Sequence, residues 1–117
     1  MKLTIIILTH NSQETIKESL TSALFADQII IIDDYSTDKT VDIIENIAVK
    51  HSNLNIYNHF LHNNFAAQRN WGLKKTKGKW ALFLDADEII SKKLQNEVIE
   101  IINSNRNKKV NGYYIKR

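Results

Sequence analysis

The sequence contains no cysteine, no proline and only three glycines in 117 residues. Without cysteine there is no disulfide framework, no thiolate metal site and no cysteine nucleophile, and the absence fits a reducing compartment. The glycines, Gly72, Gly78 and Gly112, are scattered. Neither a Gly-rich phosphate loop with its lysine nor a dinucleotide-binding fingerprint can be built from them. No serine sits in a nucleophile-elbow pattern. No apolar run approaches the ~20 residues needed to cross a bilayer. The apolar run Leu3–Leu8 stops at Thr9-His10-Asn11 with no small-residue cleavage site, unlike a signal peptide.

What is present is an ordinary globular composition, 43% hydrophobic and 25% charged. It suffices for a single domain, 1–117, with one core. The formal net charge is +3. Much of the positive charge lies in Lys74, Lys75, Lys77 and Lys79 and in Arg106, Lys108, Lys109, Lys116 and Arg117. Such a distribution is either a solvated face or a seat for an anionic substrate or headgroup.

Taken in order, Leu3–Leu8 is a β-branched run that predicts a buried strand. Asn11 with Glu14 forms a capping-box pattern before a helix carrying Ile16, Leu20, Ala23 and Leu24 on one face. Gln28–Ile32 is a second strand, ending in Asp33-Asp34. Ser36 or Thr37 is expected to cap the next helix, with Val41, Ile44, Ile47 and Ala48 inward. Leu54–Tyr57 is a short third strand, and the polar segment His59–Asn64 leads to a helix over Phe65–Lys75. The fourth strand, Trp80–Leu84, reads as buried on both faces and runs into Asp85, Asp87 and Glu88. Ser91 caps a last helix with Leu94, Val98, Ile101 and Ile102 inward. Asn103–Asn111 reads as a loop and Gly112–Lys116 as a fifth strand.

Strands alternating with helices predict an α/β fold with a mostly parallel sheet and helices on both faces. All strand carboxyl ends then share one edge, where open α/β sheets bind ligands. Thr9, Asn11, Asp33, Asp34, Asp85 and Asp87 collect there. Several carboxylates on one edge do not all ionise cheaply without a cation. Mg²⁺ or Mn²⁺, sharing one or two carboxylates with substrate phosphates, fits such a set. Arg69, near the start of the third helix, adds a positive group. Plain turn, cap and ion-pair roles for Asp33, Asp34, Asp85, Asp87 and Arg69 stand beside the ligand reading. His59 and His62 lack carboxylates at zinc-ligand spacing, and Phe65, Trp71 and Trp80 read as core aromatics.

These motifs resemble the N-terminal, nucleotide-binding part of family 2 glycosyltransferases, which have the Rossmann-like GT-A fold. Ile5–Asn11 is similar to the family's first strand and Thr-x-Asn turn. Ile32-Asp33-Asp34-Tyr35-Ser36-Thr37-Asp38 is similar to its Val-Asp-Asp-x-Ser-x-Asp motif. Ala67-Gln68-Arg69-Asn70-Trp71-Gly72 resembles its Ala-x-Arg-Asn-x-Gly helix, and Asp85-Ala86-Asp87 resembles its metal-binding Asp-x-Asp. The Asp-Ala-Asp-Glu ending looks most like lipopolysaccharide-core β-glucosyltransferases.

The resemblance implies that Thr9, Asn11 and Asp33 or Asp34 face the nucleotide base and ribose, and that Arg69 faces the nucleotide or diphosphate. It implies that Asp85 lies near ribose and metal, and that Asp87 holds Mg²⁺ or Mn²⁺ on the diphosphate. It further implies a UDP- or GDP-sugar donor, a glycan or lipid-linked cell-envelope acceptor, inversion at the sugar, and work on the cytoplasmic side of the membrane. No nucleic-acid partner is expected.

The family's domain is about twice this length, so the chain is expected to lack the acceptor half, either as a fragment of a longer protein or as a natural short relative. The catalytic base then lies beyond Arg117, and transfer by the chain alone is poor. An unprotected sheet edge would favour self-association. Two other readings compete. One is a non-catalytic nucleotide-sugar-binding module. The other is a receiver-type phosphoacceptor domain, whose acidic pair belongs after the first strand, whereas here it follows the second.

Overall fold

A computed structural model describes residues 3–104. Four strands, β1 (Leu3–Thr9), β2 (Gln28–Asp33), β3 (Leu54–Asn58) and β4 (Trp80–Asp85), alternate with four helices. These are α1 (Ile16–Ala23), α2 (Thr40–Ala48), α3 (Phe65–Leu73) and α4 (Lys92–Asn103). The strands form one sheet in the order β3-β2-β1-β4, and every pair is parallel.

The order follows from right-handed crossovers. The chain steps from β1 to β2 to β3 in one direction, which puts α1 and α2 on the same face. It then returns past β1 to β4, which puts α3 on the opposite face. The core divides accordingly. Ile5, Ile7, Ile29 and Ile31 point to the face covered by α1, α2 and α4, with Ile16, Leu20, Ile44 and Val98. Ile6, Ile30 and Ile32 point to the α3 face, packed with Tyr57, Trp71 and Phe83. β1 and β2 are thus apolar on both faces because both faces are covered. In receiver-type domains β3 pairs with β1; here β3 pairs with β2, so that topology is excluded.

Gly72 is where α3 meets the sheet most closely. A Cβ there would lie 2.6 Å from Ile32 Cδ1 and 3.2 Å from Ile6 Cγ2. The absent side chain lets the helix backbone settle onto two core isoleucines.

Several expectations need correction. β4 is not buried on both faces: among the described residues it lies at the sheet edge, and Ala81 and Asp85 are exposed. A five-residue apolar run reads the same on a central strand and on an edge strand with one covered face. Asn11 does not cap α1. Thr15 occupies that position without a side-chain cap bond, and Asn11 adopts φ 46° in the preceding turn. Neither Ser36 nor Thr37 caps α2; Asp38 Oδ1 accepts from Thr40 N at 2.9 Å instead. Phe65 is 55% exposed, not core. Asn103 ends α4 instead of opening a loop. The expected strand Gly112–Lys116 lies outside the described residues.

Candidate functional site

With all strands parallel, their carboxyl ends form one edge, and the loops after β1, β2, β3 and β4 line it. Four residues other than glycine take positive φ in these loops: Asn11 (46°), Tyr35 (44°), His62 (50°) and Asn63 (55°).

Adjacent Asp33 and Asp34 have opposite fates. Asp33 is the last residue of β2, paired in register with Thr9 of β1, and is fully buried. Its Oδ1 accepts from Thr9 Oγ1 at 2.6 Å and from Ser36 Oγ at 2.7 Å. Its Oδ2 accepts from Ser36 N at 2.8 Å. These donors replace the water that a buried carboxylate loses. Asp33 therefore organises the loop, and its side chain is turned inward. Asp34 is the next residue and points the other way. Its side chain is 23% exposed, with Oδ1 accepting from Leu61 N at 3.1 Å and Oδ2 lying 3.8 Å from His10 Nδ1.

The β1 and β2 loops are tied to one another. Asn11 Oδ1 accepts from Thr37 N at 2.8 Å, while Asn11 N donates to Ser36 Oγ at 2.8 Å. His10 Nδ1 lies 2.6 Å from the Asp34 carbonyl, which can only accept, so Nδ1 carries the proton. Below them, Ser12 N donates to Thr40 Oγ1 at 2.7 Å, and Gln13 N donates to Asp38 Oδ2 at 3.3 Å. Burial acts to raise the Asp38 carboxyl. Hydrogen bonds from the Thr40 hydroxyl and from backbone N–H groups outweigh it and hold the group below its ordinary range.

The β3 loop is fixed by Gln68, which is buried. Its Nε2 donates to the His59 carbonyl at 2.7 Å, and its Oε1 meets His59 Nδ1 at 2.7 Å. The His59 ring stacks on Trp71 at 4.2 Å between centroids. Next to Asp34, Tyr35 stacks on Phe60 at 4.1 Å, and both rings are about half exposed.

At the far side of the edge, Asp85 ends β4 and pairs in register with Leu8. By strand alternation it shares a face with Phe83, the face covered by α3. The Arg69 guanidinium lies over the Phe83 ring, 6.0 Å from its centroid. Arg69 and Asp85 are therefore on the same side of the sheet. Asp87 is exposed in the turn beyond.

The expected site residues thus divide into four groups. Thr9 and Asp33 are inward supports, and Asn11 locks two loops together. Asp34 faces the edge near β3, whereas Asp85, Asp87 and Arg69 gather near β4. Sequence reading passed over His10, Gln68 and Ser19. His10 and Gln68 lie inside quoted motifs, whereas Ser19 carried no signal.

Asp85 and Asp87 offer hard oxygen ligands at an exposed turn. Among the described residues no three His, Cys, Asp or Glu side chains gather as a metal set. Two carboxylates are the share that a protein gives Mg²⁺ or Mn²⁺ when a ligand's phosphates supply the rest.

A family model described as "Glycosyl transferase family 2" matches residues 4–115. The chain is 37% identical over 101 residues to the Escherichia coli UDP-Glc:alpha-D-GlcNAc-diphosphoundecaprenol beta-1,3-glucosyltransferase WfaP, covering 82% of this chain and 39% of that protein. It is 32% identical over 111 residues to the Staphylococcus aureus poly(ribitol-phosphate) beta-N-acetylglucosaminyltransferase TarS, covering 87% of this chain and 19% of TarS. The crystal structure of TarS 1–349 with UDP-GlcNAc superposes with a TM-score of 0.76 at 31% identity, over 88% of this chain and 31% of that one. A Pyrobaculum calidifontis mannosyltransferase solved with GDP-Man and Mn²⁺ shares the fold, with a TM-score of 0.67 at 24% identity over 75% of this chain and 28% of that one. The chain spans well under half the length of the proteins it matches.

Proposed function

Because the chain belongs to glycosyltransferase family 2, we propose that its carboxyl edge binds a nucleoside-diphosphate sugar, with UDP as the preferred nucleotide. The sugar is transferred with inversion to a cell-envelope glycan or lipid-linked acceptor. The observation that carries this reading is the arrangement of Asp34 at one end of the edge and Asp85, Asp87 and Arg69 at the other. The first set suits a base and ribose, and the second suits a diphosphate.

In this reading Thr9 and Ser36 hold Asp33 so that Asp34 presents its carboxylate to the nucleoside. Asn11 keeps the two loops at fixed separation. Arg69 faces the diphosphate, a role that suits a guanidinium's fork of donors. Asp85 and Asp87 would hold Mg²⁺ or Mn²⁺, which would supply positive charge to offset that of a departing diphosphate. Residues 3–104 are assigned to donor binding. The base that takes the acceptor proton is assigned outside them, and Glu88, hydrogen-bonded to the Asp85 backbone, is assigned to the turn.

Named relatives act on poly(ribitol-phosphate) and on a diphosphoundecaprenol-linked sugar, which supports an envelope acceptor for this chain. A lipopolysaccharide core is another acceptor of that class. No described helix is long and apolar enough to cross a membrane. The working place proposed is the cytoplasmic membrane face, reached peripherally.

Calorimetry with UDP- and GDP-sugars, with and without Mn²⁺, tests the proposal. Metal-dependent binding that is lost in Asp87→Ala is expected. If neither nucleotide sugar binds with Mn²⁺ present, the proposal fails.

A further inference from the structure

We infer that Glu88 is a positioning residue for the Asp85 and Asp87 carboxylates, acting as the clasp of the turn that carries them. The inference rests on the donor-site reading above and adds a residue that neither binds metal nor moves a proton.

The clasp is reciprocal. Glu88 Oε1 accepts from the Asp85 N–H at 2.8 Å, and Glu88 N donates back to the Asp85 carbonyl at 2.9 Å. The side-chain arm is that of a capping box, a Glu reaching back three residues to a backbone N–H, joined here to a backbone turn bond. A bond from a backbone N–H to a carboxylate is charge-assisted and stronger than a neutral one.

Helix α1 grips the same turn from behind. Ser19 Oγ donates to the Asp85 carbonyl at 3.2 Å. Ser22 Oγ accepts from Ile90 N at 2.9 Å and donates to the Ser19 carbonyl at 2.7 Å. Ala86 and Ile90 are tucked inward at 9% and 5% exposure. The turn is therefore anchored at Asp85, Ala86 and Ile90, and Asp87 projects from it.

The clasp acts where β4 ends and the turn that carries both carboxylates begins. Among the described residues β4 is an edge strand, paired only with β1. The turn itself and α1 both supply hydrogen bonds that order its end. Two carboxylates bind a shared cation best when their separation is set before the ligand arrives. Loss of a group that orients metal ligands typically costs about 10–100-fold in metal affinity.

The test is calorimetric titration of UDP into the chain with and without Mn²⁺, for wild type, Glu88→Gln and Glu88→Ala. Gln keeps an Oε1 acceptor for the Asp85 N–H; Ala has none. The expected result is a loss of about tenfold in the Mn²⁺-dependent part of UDP affinity for Glu88→Ala. Metal-free affinity should stay near wild type, and Glu88→Gln should retain most of the Mn²⁺ effect. An Ala variant as tight as wild type overturns the inference. A Gln variant as weak as Ala also overturns it, since charge and not the acceptor would then matter. Wild type that shows no Mn²⁺-dependent UDP binding overturns the donor-site reading and this inference with it. If Glu88→Ala does not fold, hydrogen exchange at the wild-type Asp85 amide decides. Slow exchange supports the clasp, and exchange at the rate of an open loop overturns it.

Discussion

Thr9 Oγ1 donates to Asp33 Oδ1 at 2.6 Å, across two strands whose last residues are in register, at a point where both side chains are buried. This bond joins the ends of the two central strands and sets the direction in which the next residue, Asp34, leaves the sheet. Thr9→Val keeps the shape and removes the donor, leaving a buried carboxylate one hydrogen bond short. A destabilisation of about 1–3 kcal/mol is expected, read as a lower midpoint in urea with an unchanged slope. A midpoint equal to wild type would show that Ser36 alone satisfies Asp33.

Gly72→Ala sets two effects against each other. Helix propensity favours Ala by about 0.8–1 kcal/mol, while overpacking in a filled core costs about 1–3 kcal/mol. With Ile32 Cδ1 at 2.6 Å from the new Cβ, overpacking should win and the variant should be less stable. Ile32→Val removes that methyl. In the Ile32→Val background Gly72→Ala should be neutral or stabilising, so a double-mutant cycle should show a coupling above about 0.5 kcal/mol. An additive cycle would show that the crowding is relieved elsewhere.

Asp38 carries a pH signature. Its folded carboxyl sits below the ordinary value of 3.8, because hydrogen bonds from Thr40 and the Gln13 backbone outweigh the effect of burial. A depressed carboxyl binds fewer protons folded than unfolded. Its contribution is therefore complete above the ordinary value and is lost as pH falls through the lowered one. Acid unfolding of Asp38→Asn should show a shallower loss of stability below pH 3.8 than wild type. Parallel curves would remove Asp38 from the account.

Asp34→Ala and Asp87→Ala should fail differently. Removing Asp34 takes away the proposed nucleoside contact, so UDP affinity should fall about tenfold or more with or without Mn²⁺, the loss expected of a hydrogen bond to a charged group. Removing Asp87 should abolish only the Mn²⁺-dependent gain. Two variants with the same profile in calorimetry would contradict the division of the edge into nucleoside and diphosphate ends.

The alternation of strands and helices was legible because short β-branched runs such as Ile5–Leu8 and Ile29–Ile32, bounded by polar turns, favour strands. β4 looked the same in composition, yet position in a sheet is decided by crossovers and not by the strand's own residues. The Asn11–Glu14 pattern was over-read for a related reason. A local capping box competed with bonds from Asn11 to residues 25 and 26 positions away, and the distant partners prevailed. The grouping of Thr9, Asp33, Asp34, Asp85 and Asp87 on one edge followed from parallel topology. Which of two neighbouring aspartates turns inward did not, because that depends on register: Asp33 is still in the strand and Asp34 has just left it.

The four left-handed residues of the ligand edge, Asn11, Tyr35, His62 and Asn63, all carry side chains, and no described glycine has positive φ. A loop that uses glycine for such turns gains reach and loses rigidity. Here the backbone bends are made by residues with fewer accessible conformations, two of them aromatic. The edge is therefore a stiff frame whose tension is stored in the chain direction itself. If the edge holds the proposed nucleotide, such a frame resists adapting to a different one. Changing donor preference in this scaffold should demand loosening these bends first, with new contacts added only afterwards.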